Sequence, residues 1–461
     1  MQVGRNVESK LFGSSGVRGL VNVELTPVLA ARIGLAVATY SKPKKALVGR
    51  DTRVSGLMLE NALVSGLLAG GARVDCLGVV PTPVLAFLTN RLDADVGMMI
   101  TASHNPPEYS GLKIFDGSST AYGKEKQDQI ERIVNERSFK LADWRKVGEA
   151  LLIDESQCYT EMVQKGVKLD KEWRVIVDPG CGATSYIAPS IVKNFGCKTT
   201  TINSQPDGFF PGRSPEPNAE SLRSLAEIVR ELNADVGIAF DGDGDRAAFV
   251  DEEGNFANFD QVLAAYTAYM TKKARSKTIV TNVESSMCVD KMVEAEGGRV
   301  VRTKVGDVYV AEAIKRHKAV FGGEPCGAWI HPQFHYCPDG ILTSILLLKA
   351  LEDEDESLSE FVSKVPQYVT LRENVACKNE AKHRLVEKTE ENLKADFPEF
   401  KRISTVDGVR LALEHGWILV RASGTEPVVR LTVEGESSKK AQEIMEKGLM
   451  LVKRLSREVR K

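Results

Sequence analysis

Ala94-Asp95-Val96-Gly97-Met98-Met99-Ile100-Thr101-Ala102-Ser103-His104-Asn105-Pro106 and Ala234-Asp235-Val236-Gly237-Ile238-Ala239-Phe240-Asp241-Gly242-Asp243-Gly244-Asp245-Arg246 open alike and end in different chemistry. In each, a short apolar run after glycine enters a polar loop, the pattern of a buried strand feeding a site loop. Its recurrence predicts a duplicated αβ unit with one loop position put to two uses. The first copy ends in a serine beside a histidine, the second in three carboxylates at alternate positions. A nucleophile and a divalent-metal site on matched scaffolds point to phosphoryl transfer.

The duplication extends upstream. Ala46-Leu47-Val48-Gly49-Arg50-Asp51 reads as a strand, followed by a helical stretch from Leu57 to Leu68 and a further strand from Gly71. Val175-Ile176-Val177-Asp178, a helix around Tyr186 to Phe195, and Gly196-Cys197-Lys198-Thr199 repeat the order. A third copy runs from Thr278-Ile279-Val280-Thr281-Asn282 through a helix at Met292 to Gly298-Arg299-Val300-Val301, then to Phe321-Gly322-Gly323-Glu324-Pro325-Cys326-Gly327. Such alternation predicts α/β domains with largely parallel pairing and helices on both sheet faces. The last ninety or so residues break it. Val406 to Val409, Gly416 to Val420 and Val428 to Val433 read as antiparallel strands. A closing helix repeats apolar residues at Ile444, Gly448, Val452, Leu455 and Val459, making an α+β module. Polar stretches near Ala150 and between Ser363 and Glu380 are the linker candidates.

A chain of 461 residues exceeds one ordinary core, so three or four domains are expected. Lys+Arg of 61 against Asp+Glu of 63 gives a net charge of −2, with no electrostatic reason to expect nucleic acid or an anionic membrane as partner. The N-terminal stretch lacks a signal-peptide apolar segment, and no apolar run approaches ~18 residues. The eight cysteines show no Cys-x-x-Cys spacing, which fits reduced thiols in a cytoplasmic protein.

Three loops carry chemistry. Ser103, presented at a strand end and followed by Pro106 and Pro107, reads as a nucleophile with His104 as proton acceptor or phosphate donor; the alternative is a turn whose serine only bonds backbone. Asp241, Asp243 and Asp245 alternate along an extended loop and converge on one hard cation. A calcium loop of the EF-hand type is the rival, but its sixth position is Arg246 rather than glycine and its flanks read as strands. Arg421-Ala422-Ser423-Gly424-Thr425-Glu426-Pro427 with Arg430 offers two guanidiniums, two hydroxyls and a glycine amide, a cradle for a phosphate monoester, or else a hairpin loop with incidental arginines. Glu324 offers a carboxylate to a pair of sugar hydroxyls, though a plain turn fits its loop equally well.

With Phe12-Gly13-Ser14-Ser15-Gly16-Val17-Arg18-Gly19 added, these loops resemble the signatures of the α-D-phosphohexomutase superfamily along essentially the whole chain. The resemblance implies three similar mixed-sheet α/β domains plus a C-terminal α+β phosphate-binding domain around a central cleft, expected over 1–150, 151–253, 254–365 and 366–461. It implies Ser103 as the phosphoryl carrier, and Mg²⁺ held by Asp241, Asp243, Asp245 and the phosphoserine. Lys113 and His104 become the proton-transfer candidates. Arg18 and Arg246 would face the phosphoserine, Lys304 the substrate, and a hexose 1,6-bisphosphate would be the intermediate. Three positions depart from the family pattern: Cys326 stands where serine is common, Ala328 where some branches have histidine, and Ser14 where threonine is common.

The loop from Gly323 to Ile330 is similar to that of the archaeal phosphoglucosamine-mutase-like branch. Glu324 suits a 2-ammonium as well as a 3-hydroxyl, whereas Cys326 offers little to a hydroxyl. The expected reaction is therefore interconversion of glucosamine 6-phosphate and glucosamine 1-phosphate. A phosphoglucomutase or phosphomannomutase, a phosphatase, and a non-catalytic phosphosugar-binding regulator are the alternatives. Expected partners are small-molecule hexose phosphates, with no nucleic acid and no membrane, in a cytoplasmic monomer or homo-oligomer.

Overall fold

Strand and helix alternate in the computed structural model, which describes residues 11–13, 16–423 and 427–460. Two compact units divide the chain: residues 1–256 with Phe334–Asp353, and Ala257–Gln333 with Glu354–Lys461. Among the described residues no helix is long and apolar enough to cross a membrane.

The first unit holds two sheets. One contains β1 (Val17–Leu20), β2 (Lys45–Arg50), β3 (Arg73–Val79), β4 (Val96–Ile100), β5 (Tyr109–Asp116) and β6 (Ala150–Leu152), in the order β1-β5-β4-β2-β3-β6. The other contains β7 (Arg174–Asp178), β8 (Lys198–Thr201), β9 (Val236–Phe240) and β10 (Ala247–Val250), in the order β10-β9-β7-β8. In the second unit, β11 (Thr278–Asn282), β12 (Arg299–Thr303), β13 (Phe321–Gly323) and β14 (Trp329–Ile330) run β14-β13-β11-β12. The same four-strand order thus occurs three times. In each, two parallel pairs are followed by an antiparallel hairpin whose turn is a candidate site loop. The sheets are mixed, because the strand after each loop doubles back instead of crossing over.

Buried apolar side chains explain the strands' continuous hydrophobic runs: β4 and β9 are buried along their whole length. Helices cover them, among them α1 (Pro27–Ser41), capped by the Thr26 hydroxyl with Pro27 in its first turn. The apolar run at Ile345-Leu346-Leu347-Leu348 lies in the helix Gly340–Glu354, as its composition predicts.

The fourth sheet is antiparallel: β15 (Val369–Ala376), β16 (Arg402–Ser404), β17 (Val409–Ala412), β18 (Gly416–Ala422) and β19 (Val428–Gly435), in the order β15-β19-β18-β17-β16. Ile444, Val452 and Leu455 of the closing helix Ser438–Arg460 are buried with it; the side chain of Val459 lies outside the described residues. Both linker candidates contain strand. Ala150–Leu152 pairs with β3, and Val369–Ala376 pairs with β19 over its full length. Each is an edge strand, so its polar or exposed residues read as loop although the backbone is paired on one side. Val406 precedes β17 rather than opening it.

Candidate active site

β4 delivers Ser103 to a loop that is held from several sides. The Ser103 N–H donates to Thr101 Oγ1 at 2.8 Å, and the Thr101 hydroxyl donates to Asp51 Oδ2 at 2.6 Å. Ser103 is buried, with φ of 53°, a left-handed conformation uncommon for a residue with a side chain. Its Oγ donates to Asp241 Oδ2 at 2.6 Å and lies 3.2 Å from His104 Nδ1. The two loops singled out in the sequence therefore meet atom to atom.

The aspartate loop is the turn of the antiparallel β9–β10 hairpin, so the helix–loop–helix of a calcium-storage site is excluded. Gly242 lets the loops approach: a Cβ there would sit 2.5 Å from the Ser103 carbonyl oxygen. Gly340, which opens its helix, donates its N–H to Gly244 O at 3.1 Å and would place a Cβ 2.6 Å from Arg246 O. A helix start thus buttresses the aspartate loop from behind.

Asp241, Asp243 and Asp245 are all buried, and one carboxylate oxygen from each lies within 4.8 Å of the others. Lys113 Nζ, from β5, bonds Asp243 Oδ2 at 2.8 Å and Asp245 Oδ2 at 2.5 Å. The Thr82 hydroxyl, in the first turn of the helix Thr82–Arg91, also donates to Asp243 Oδ2 at 2.5 Å, and its N–H donates to Asp243 O. Asp243 Oδ1 and Asp245 Oδ1 are buried without a hydrogen-bond partner among the described residues. Converging hard oxygens with two uncommitted acceptors fit a hard divalent cation such as Mg²⁺.

Electrostatics follow from this packing. Burial, then the facing Asp245 and Asp243, raises the Asp241 carboxyl well above the usual range. Asp245 is raised by burial and by Asp243. Burial would raise Asp243 too, but the Lys113 ammonium overrides it and holds that carboxyl below the usual range. His104 is pushed down to about 2, first by burial and then by the positive charges of Arg246, Arg18 and Lys113, so its imidazole is neutral at physiological pH. Arg18 Nη1 donates to Asn105 Oδ1 at 2.9 Å, and Arg246 Nε lies 3.9 Å from Asp245 Oδ1. Ser103, His104, Lys113, Arg18, Arg246 and the three aspartates thus form one cluster within the first unit.

In the second unit Glu324 is buried in the β13–β14 turn. Its Oε1 accepts from Asn282 Nδ2 at 2.7 Å and from the Gly306 N–H at 2.8 Å. Lys304, two residues before Gly306, is exposed beside Tyr309, and Cys326 is half-buried. On the fourth sheet Arg421 and Arg430 stand directly opposite across β18 and β19, hence on one face. Arg421 bonds Glu284 Oε1 at 2.5 Å and Asp407 Oδ2 at 3.4 Å. Lys382 donates to the Ser423 carbonyl at 2.5 Å. Gly424 and Thr425, like Ser14 and Ser15, lie outside the described residues.

The sequence reading missed Arg53, Thr82, Asn282 and Lys382. Asp51 and Asn282 had a visible signal, a polar residue closing a buried strand in each copy.

Comparison with known proteins accords with this geometry. Family models described as phosphoglucomutase/phosphomannomutase match in chain order: alpha/beta/alpha domain I over residues 9–141, domain II over 157–254, domain III over 258–368, and the C-terminal domain over 373–448. A probable phosphoglucosamine mutase of Pyrococcus abyssi is 44% identical over 444 residues, covering 96% of this chain and 98% of that one. A phosphoglucosamine mutase of Methanocaldococcus jannaschii is 42% identical over 451 residues, again covering 96% and 98%. The crystal structure of a phosphoglucomutase/phosphomannomutase family protein from Burkholderia thailandensis superimposes with a TM-score of 0.87 at 27% identity, covering 97% of each chain.

Proposed function

Because the chain belongs to the phosphoglucomutase/phosphomannomutase family and is a mutase, we propose that it moves a phosphoryl group between the 6- and 1-positions of a hexose phosphate through phosphorylated Ser103, with glucosamine phosphate as preferred substrate. The observation that carries this reading is the 2.6 Å hydrogen bond from Ser103 Oγ to Asp241, at the edge of a carboxylate cluster in which two oxygens accept no hydrogen bond among the described residues.

Phosphoserine at Ser103 gives its phosphoryl group to a free hydroxyl of the monophosphate. The substrate O–P bond forms as the Oγ–P bond breaks, and the hydroxyl proton passes to a base. His104 is assigned that role by position, its Nδ1 lying 3.2 Å from Ser103 Oγ; the negative charge of a phosphoserine would offset the burial and the neighbouring cations that hold its basicity down. The resulting hexose 1,6-bisphosphate returns its other phosphate to Ser103. Lys113, Arg18 and Arg246 supply positive charge where the transferring group gathers negative charge. Asp241, Asp243 and Asp245 would hold Mg²⁺ together with the phosphoserine, and the bound ion withdraws charge from the phosphoryl group.

Arg421 and Arg430 are assigned the non-reacting phosphate. They share one face of the sheet, and two guanidiniums on one face suit the several oxygens of a phosphate monoester. Asn282 and Gly306 fix the Glu324 carboxylate, which suits it to grip a 2-ammonium or a 3-hydroxyl. Relatives named phosphoglucosamine mutase support the amino sugar.

The test is kcat/KM on glucosamine, glucose and mannose 6-phosphates, with Mg²⁺ and catalytic bisphosphate, scored for isomer and for inorganic phosphate. Glucosamine phosphate should rank first. A lower value than for glucose or mannose phosphate overturns the sugar assignment. Phosphate release without isomer would make the protein a phosphatase, and binding without either product a regulator.

A further inference from the structure

We propose that Arg53 is a positioning residue for phosphoryl transfer, holding the Ser103 loop in the backbone conformation that presents Oγ to the reacting phosphate; the inference rests on Ser103 being the phosphorylated residue. The Arg53 side chain is fully buried. A guanidinium carries five N–H donors, and burial is costly for each one left unused. Here all five are engaged. Nε bonds Asp51 Oδ2 at 3.0 Å. Nη1 bonds the carbonyls of Pro106 at 2.6 Å and Tyr109 at 2.9 Å. Nη2 bonds those of Ser103 at 2.9 Å and Asn105 at 2.6 Å. The Phe210 ring packs 5.2 Å from the guanidinium.

Three carbonyls of the loop, and that of Tyr109 where β5 begins, converge on one side chain. The remaining contact closes a circuit: Asp51 accepts from the Thr101 hydroxyl, which in turn accepts from the Ser103 N–H. The ion pair therefore grips Ser103 by its N–H and by its carbonyl, at a residue in the left-handed region that persists only where its surroundings over-determine it. The second copy shows how specific this is. There Arg213 pairs with Asp178 and bonds the carbonyls of Asp178, Ser214 and Phe240, so these bonds stop at the end of β9, one residue short of the aspartate loop. An arginine tying down strand ends belongs to both copies; one tying down the reacting residue belongs to the first.

The experiment measures the rate at which Ser103 gains phosphate from a hexose 1,6-bisphosphate, by rapid quench and phosphopeptide mapping. Arg53→Lys keeps the charge beside Asp51 but lacks the fork that spans four carbonyls. It should slow labelling about a hundredfold, the size of a misplaced reacting atom, with the dissociation constant for hexose 6-phosphate within about twofold of wild type. Thr101→Val keeps the ion pair, cuts only the arm to the Ser103 N–H, and should slow labelling about tenfold. A purely structural role would lower the labelled amplitude in proportion to lost folded protein and leave the rate unchanged, and that result overturns the proposal. So does wild-type labelling in either folded variant. A wild type that takes phosphate elsewhere than Ser103 overturns the functional reading as well, which separates the two failures.

Discussion

The serine loop and the aspartate loop leave equivalent strands, β4 and β9, and return along equivalent antiparallel partners, yet they are stabilised in opposite ways. The serine loop is neutral at its tip and held by a ring of backbone bonds to Arg53 and Thr101. The aspartate loop concentrates three buried carboxylates against one lysine, and two of its oxygens accept no hydrogen bond among the described residues. The first loop draws its order from hydrogen bonds to its neighbours; the second sets like charges side by side. One scaffold position thus serves two roles by changing only what closes the loop.

The largest effect should come from Ser103→Ala, which removes the hydroxyl proposed to carry phosphate. Turnover should fall by several orders of magnitude while the thermal transition stays near wild type, since the alanine keeps the backbone bonds. Substantial turnover in this variant would dissolve the contrast between the loops.

Asp241→Asn should act in two directions. With Mg²⁺ present, kcat should fall about 10²- to 10³-fold, as when a group that stabilises transition-state charge is lost. In chelator, the same variant should melt higher than wild type at pH 8. The sign follows from linkage. The folded-state pKa of Asp241 lies above its unfolded value, so the folded protein binds more protons in the window between them. Its contribution is therefore most favourable at low pH and is lost as pH rises through the folded value. Asparagine removes that loss, and calorimetry across pH 5 to 8 in chelator reads it directly. A lower melting temperature for the variant in chelator at pH 8 would mean the carboxylates do not strain the fold.

The smallest effect belongs to Thr82→Val. Its hydroxyl bonds the partnered oxygen of Asp243, so its loss should weaken Mn²⁺ binding about tenfold, measured by electron paramagnetic resonance titration, with little change in melting temperature in chelator. Unchanged affinity would mean Lys113 alone orients that carboxylate.

These residues also mark how far the sequence could be read. The repeated strands and both loops were legible because each lies within thirteen consecutive residues and announces itself by period and composition. Arg53 and Thr82 were not, because their partners lie at separations of about 50 and of 161 residues, and a polar residue after a strand or at a helix start has ordinary local uses. Val369–Ala376 carried a partial signal, with Val369, Leu371 and Val375 at alternate positions, but charges between them gave it a linker's composition. The Arg421–Arg430 pairing was legible as types but not as a face, because the face depends on the register of β18 against β19. The Glu284 and Asp407 contacts of Arg421 join separate segments and left no local trace.

The return of Phe334–Asp353 to the first unit has a consequence for how the protein is made. Gly340 supports the aspartate loop, Asp339 accepts from Tyr159, and Glu352 accepts the N–H groups of Asp170 and Lys171. During synthesis the first unit is therefore incomplete when residue 256 emerges, and stays so until nearly a hundred further residues have followed. At about 5–20 residues per second that interval is roughly 5–20 s. Through it, the three carboxylates and the flank of the helix Thr82–Arg91 must wait in a nascent chain while residues of the second unit are emerging. A fragment ending near residue 256 would carry both candidate site loops and still lack the helix that supports one of them.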